Sequence, residues 1–158
     1  MPESPPIGLL ASGIVRVAST LVGILLLGFS FDRILGLPIW IGRPWQLWGL
    51  VPLTLGVVLE AAGTHAFWKY GRGAPNPVAH PSRLVTEGPY AWSRHPLYLA
   101  RHLILLGAAL LLASPSTLAL TVLLFIVVET IMIPREEGRH AARFAEPYAD
   151  YGPRCQNG

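Results

Sequence analysis

Residues 7–31, IGLLASGIVRVASTLVGILLLGFSF, form an apolar run broken by one formal charge, Arg16. About 20 such residues cross the hydrocarbon layer of a bilayer as a helix, and in lipid every backbone amide must find its partner within the segment. A run of this kind excludes a soluble globular fold and predicts a membrane-spanning helix. Three further runs repeat the pattern, each again with a single formal charge: residues 45–68 with Glu60, 96–113 with Arg101, and 116–133 with Glu129. The last two lie near the lower length limit of a span and are split only by Ser114-Pro115-Ser116, which predicts a tight helical hairpin. The first run has no positively charged segment before it and is too long for a signal peptide, so it is expected to stay as an anchor.

Charged residues make up 13% of the chain, against about 25% in soluble proteins. The expected fold is therefore all-α: an integral membrane helical bundle of about four transmembrane helices. A short amphipathic helix is expected to follow from Pro134 on the cytoplasmic side. The chain reads as one membrane domain over residues 1–158, divided into a helix pair (7–68), a cytoplasmic loop (69–95) and a hairpin with its C-terminal helix (96–158). The one cysteine, Cys155, allows no internal disulfide and supports no zinc cluster, so no metal is expected. No basic run alternates with aromatics, so the net charge of +3 implies topology rather than a nucleic-acid partner.

Basic residues set the orientation. Lys69, Arg72, Arg83, Arg94, Arg135, Arg139, Arg143 and Arg154 fall on one side of a four-span arrangement, and only Arg33 and Arg43 on the other. Both termini and the long loop are thus expected in the cytoplasm of a prokaryotic cell. Within the spans, Arg16 and Glu60 lie at similar depths, about 14 and 12 Å at ~1.5 Å per residue. Each sits on a small-residue face, Ser12-Arg16-Ser19-Gly23 and Gly49-Gly56-Glu60-Gly63. Small residues let membrane helices approach closely, so these faces are expected to meet and the two charges to pair. Arg101 and Glu129 match in depth in the same way.

The polar segments carry the chemistry. Residues 88–101, GPYAWSRHPLYLAR, lead into the third run, and Pro96 suits a first helical position. His95, Tyr98 and His102 then share one face. An interfacial belt with snorkelling arginines explains Tyr98 and Arg94 but leaves the histidines without a role. Beyond the fourth run, IPREEGRHAARFAEPYADYGPR places Glu136 and Glu137 just after Pro134, in what reads as the first turn of a new helix, where carboxylates complement the macrodipole.

The combination of RHPLY, a hairpin, the Glu136-Glu137 pair and RFAEPYADYGPR resembles the isoprenylcysteine carboxyl methyltransferase and phospholipid methyltransferase superfamily, over residues 83–154. Ala100 and Glu146-Pro147 depart from the glycines common there. The resemblance implies a membrane methyltransferase using S-adenosylmethionine, held by Tyr90, Arg94, His95, Tyr98, Leu99, Glu136 and Glu137. Arg94, Arg101 and Glu129 are the expected catalytic residues. The implied acceptor is lipidic or a small hydrophobic molecule: a prenylcysteine-type carboxylate, a phospholipid amine or a thiol. Two alternatives weigh less. A sterol-type reductase using NADPH favours asparagine where this chain has Leu97, and a non-enzymatic scaffold leaves the polar cluster unexplained.

Overall fold

The computed structural model describes residues 7–71 and 85–138, and among these every regular element is helical. Helix α1 (Ile7–Leu35) is followed by a 3₁₀ turn, Trp45–Gly49, that feeds α2 (Leu50–Gly71). A second 3₁₀ turn, Gly88–Ala91, precedes α3 (Pro96–Leu111), and α4 (Pro115–Val127) follows at once. Pro96 and Pro115 occupy the first positions of α3 and α4, where a missing N–H breaks no intrahelical bond. The protein is an all-α membrane bundle.

Among the described residues, three helical stretches are long and apolar enough to cross a membrane: Ala11–Leu35, Trp45–Tyr70 and Pro115–Gly138. Helix α3 differs from the expected span. At 16 residues, α3 is only ~24 Å long, short of the ~30 Å hydrocarbon layer. It is instead the buried centre of the bundle, with Ala100, Leu105 and Ala109 wholly inaccessible. The outer helices shield it and turn Ile14, Leu26, Ile34, Leu55 and Leu123 outward, as lipid requires and water would penalise. The hairpin itself forms as expected, but its turn falls at residues 112–114, with Ala113 in the left-handed region at φ 46°.

The helix pairings correct the expected ones. The glycine face of α2 lies on α3, not on α1. A Cβ added at Gly56 would stand 2.7 Å from the Ala100 carbonyl oxygen and 2.8 Å from the Ile104 nitrogen, so only hydrogen permits the backbones to approach. Gly49 faces Gly107 and Gly63 faces Leu97 in the same antiparallel register. Helix α1 packs on α4 through Gly28, which abuts Thr117, whereas a Cβ at Gly23 would meet nothing within 4 Å. Asp32 completes that seam: it accepts a hydrogen bond from the Ser116 N–H at 3.0 Å and another from the Ser114 hydroxyl. Ser114 also caps α4 by accepting from the Thr117 N–H. Asp32 therefore ties α1 to the capped start of α4.

The expected helix beginning at Pro134 is not a separate element. Helix runs on from α4 through a π turn, Val128–Met132, to Gly138. In an unbroken α-helix the Pro134 ring would meet the carbonyl of Thr130, to which proline has no N–H to donate. The wider π turn carries the chain past that conflict. It also inserts one residue, which rotates everything beyond it by about 100° around the axis. Glu136 and Glu137 thus lie in the last described turn of the continuation of α4, so a helix N-terminus does not account for them. The stretch 139–158, including the RFAEPYADYGPR segment, and the proline-rich residues 72–84 lie outside the described residues.

Candidate active site

The start of α3 and the far end of α4 meet at one end of the bundle, opposite the hairpin turn. Gly88, with φ +64°, makes the bend that lays Tyr90 against the end of α2; side chains rarely adopt that conformation. Tyr90 is buried with Ala66 and Val85, its ring 6.2 Å from that of Phe67. Burial raises its phenol well above the ordinary value of 10.0. Tyr90 is thus a core residue that pins the approach to α3. The Ser93 hydroxyl accepts from the His95 N–H at 3.2 Å, and the His95 carbonyl opens α3 by accepting from Tyr98 and Leu99.

Four of the expected binding residues converge with Arg94. Its guanidinium donates to Glu137 Oε1 at 3.0 Å. The Tyr98 hydroxyl donates to Glu136 Oε2 at 3.0 Å. The His95 ring lies between the carboxylates, with Nδ1 3.9 Å from Glu136 and Nε2 3.7 Å from Glu137. It is tilted against the Tyr98 ring at 5.8 Å between centroids. His95 Nε2 is buried and makes no hydrogen bond among the described residues. Among the described residues, two carboxylates thus stand beside one guanidinium and one imidazole at partly exposed positions.

Two expected site residues are placed elsewhere. Leu99 is 48% exposed on the outer surface of α3. Glu129 is exposed on the π turn, and Arg101 does not pair with it. Arg101 instead lies 3.3 Å from Glu60 on α2, so the expected Arg16–Glu60 pairing is replaced by Glu60–Arg101. The physical reason is the glycine face of α2: once it meets α3, Glu60 on that face is carried to Arg101. The Arg101 guanidinium also sits 5.9 Å above the Tyr98 ring, linking this pair to the outer cluster. His102 is the residue that sequence reasoning noted without giving it a role. Its Nδ1 lies 2.7 Å from the Tyr98 carbonyl oxygen and its ring meets Phe125 edge-on. An apolar groove of about 440 Å³ beside Trp40, Pro115 and Leu118 lies on the first turns of α4, away from these polar residues.

A family model described as phospholipid methyltransferase matches residues 45–146. It begins well before the motif region and takes in α2, the helix that packs on α3. The chain is also 34% identical over 100 residues to the cobalt-zinc-cadmium resistance protein CzcN of Cupriavidus metallidurans, covering 63% of this chain and 44% of that protein's length. The chain thus spans less than half the length of that relative. No solved structure matches.

Proposed function

Because the chain belongs to the phospholipid methyltransferase family, we propose that this membrane methyltransferase takes its methyl group from S-adenosylmethionine and gives it to a lipidic or small hydrophobic acceptor. The observation that carries the reading is the convergence of Arg94, His95 and Tyr98 with Glu136 and Glu137, joined by two 3.0 Å hydrogen bonds across 38 to 43 residues of sequence.

The residues fit the cofactor's chemistry. A carboxylate of Glu136 or Glu137 accepts from ribose hydroxyls, and Arg94 with His95 meets the methionine carboxylate. Among the described residues, the buried His95 Nε2 without a hydrogen bond marks a polar atom with capacity for a ligand. When bound, the cofactor supplies an activated methyl group. The chain's own work is alignment and exclusion of water rather than strong acid–base chemistry. Tyr98 holds Glu136 in place while its ring supports Arg101. Tyr90 keeps the turn before α3 seated.

Calorimetric titration of the purified chain with S-adenosylhomocysteine, and separately with NADPH, tests this reading. Saturable binding of the first and none of the second is expected. Binding of NADPH alone points to a reductase, and binding of neither removes the enzymatic reading.

A further inference from the structure

Glu60 and Arg101 form an ion pair between the apolar helices α2 and α3, one turn deeper along α3 than Tyr98. Ionisable groups inside a membrane are costly to keep there, and replacing a buried pair by apolar packing is often neutral or stabilising. The rest of the α2–α3 seam needs no charge, since it is built from glycines against alkyl groups and backbone. The pair is also incompletely satisfied. Its side chains are 20% and 22% exposed, yet Glu60 Oε2 and Arg101 Nε are buried atoms with no hydrogen-bond partner among the described residues. The charge of Arg101 is already answered twice, by Glu60 Oε1 and by the Tyr98 ring. What remains open is a carboxylate oxygen that needs a hydrogen donor, with a single N–H beside it that needs an acceptor.

We infer that the Glu60–Arg101 pair holds the polar head of the methyl acceptor, and that the acceptor is an amphiphile whose nucleophile carries a hydrogen on nitrogen, oxygen or sulfur. This rests on the methyltransferase reading. An amine, hydroxyl or thiol donates to Glu60 Oε2, and a neighbouring oxygen of the same head accepts from Arg101 Nε. A carboxylate acceptor has no hydrogen to give and brings a second anion against Glu60. The contact from Glu136 through the Tyr98 ring to Arg101 and Glu60 joins the cofactor cluster to this deeper pair, so donor and acceptor sites share one wall. In the step itself, the nucleophile's lone pair forms a bond to the methyl carbon. The carbon–sulfur bond breaks, its electron pair stays on sulfur, and the proton of the nucleophile passes to Glu60.

The test uses the full chain in lipid nanodiscs, saturated with S-adenosylhomocysteine. It is challenged with hexadecylamine, hexadecanol, hexadecanethiol and hexadecanoate, and bound amphiphile is identified by native mass spectrometry. The three proton-bearing heads separate the possible sources of the donor. At least one is expected to be retained in preference to hexadecanoate. Glu60→Gln is expected to weaken that retention roughly 10-fold or more, as for loss of one charge-assisted hydrogen bond, with calorimetric affinity for S-adenosylhomocysteine unchanged. Should Glu60→Gln alone fail to fold because Arg101 loses its partner, the double variant Glu60→Gln/Arg101→Gln removes both charges and is expected to show the same selective loss. Preferential retention of hexadecanoate, retention of none of the four, or undiminished retention by the variants overturns the inference. Failure of the parent to bind S-adenosylhomocysteine instead overturns the methyltransferase reading and takes this one with it.

Discussion

Glu137 carries two contacts within the proposed cofactor site, the 3.0 Å bond from Arg94 and the approach to His95 Nε2. Glu137→Ala is expected to weaken S-adenosylhomocysteine binding roughly 10- to 150-fold, the equivalent of one charge-assisted hydrogen bond of about 1.5–3 kcal/mol. Tyr98→Phe keeps the ring against His95 and Arg101 and removes the hydroxyl that donates to Glu136, so its loss should be smaller. Calorimetry ranks the two, and the opposite order would place the binding energy on Tyr98. Tyr90 makes a different prediction. Its phenol is raised above 10.0 by burial, so the folded state holds the proton more tightly than the unfolded chain does. That contribution is intact below the unfolded value of about 10 and is lost as pH rises toward the higher folded value. Between pH ~8 and ~11 the parent's Tm in detergent should therefore fall further than that of Tyr90→Phe. Parallel curves for the two proteins would show that Tyr90 ionises freely.

The seam between α2 and α3 is the element on which the site depends, because α3 is too short to take its position from the bilayer and must take it from its neighbours. Gly56→Ala drives a methyl group onto the backbone at Ala100 and Ile104. Overpacking of this kind costs about 1–3 kcal/mol, and since α3 carries Arg94, His95 and Tyr98, cofactor affinity should fall with stability. Gly23→Ala on α1 meets open space and should leave both unchanged. Thermal denaturation in detergent with parallel S-adenosylhomocysteine titration makes the comparison; equal behaviour of the two variants would mean that the close approach does not hold α3. The π turn is the second device at this scale. It lets Pro134 sit inside a helix and turns Glu136 and Glu137 toward α3, in keeping with the tendency of such turns to occur at functional sites.

For the whole molecule, the cluster lies at the end of the bundle that also holds the end of α2 and the start of α3, the end that carries Lys69, Arg94 and Arg135 among the described residues. The positive-inside rule predicts that this end faces the cytoplasm, the side from which a water-soluble methyl donor would reach the cluster. Reporter fusions at Gly158 are expected to register a cytoplasmic C-terminus; an external signal would reverse the orientation and separate the site from the cytoplasmic cofactor pool.

Hydropathy by itself determined the fold class and the runs that become helices, because burial in lipid imposes a length and a polarity that any window of sequence displays. The motif residues around His95 and the Glu136–Glu137 pair were equally legible, since proline placement and side-chain chemistry are local properties. The partner of each charge was not. Arg101 was matched to Glu129 by depth, and Glu60 to Arg16 by depth and by the small-residue faces of their helices. Depth is common to every helix in a bundle, whereas azimuth depends on which faces pack. Only the tertiary structure shows the glycines of α2 against α3, which brings Glu60 to Arg101. Likewise only the structure reveals the π turn, whose extra residue rotates the glutamates onto the face where Arg94 and Tyr98 stand. A rotation about a helix axis leaves hydropathy and spacing unchanged, so contacts across helices decide it.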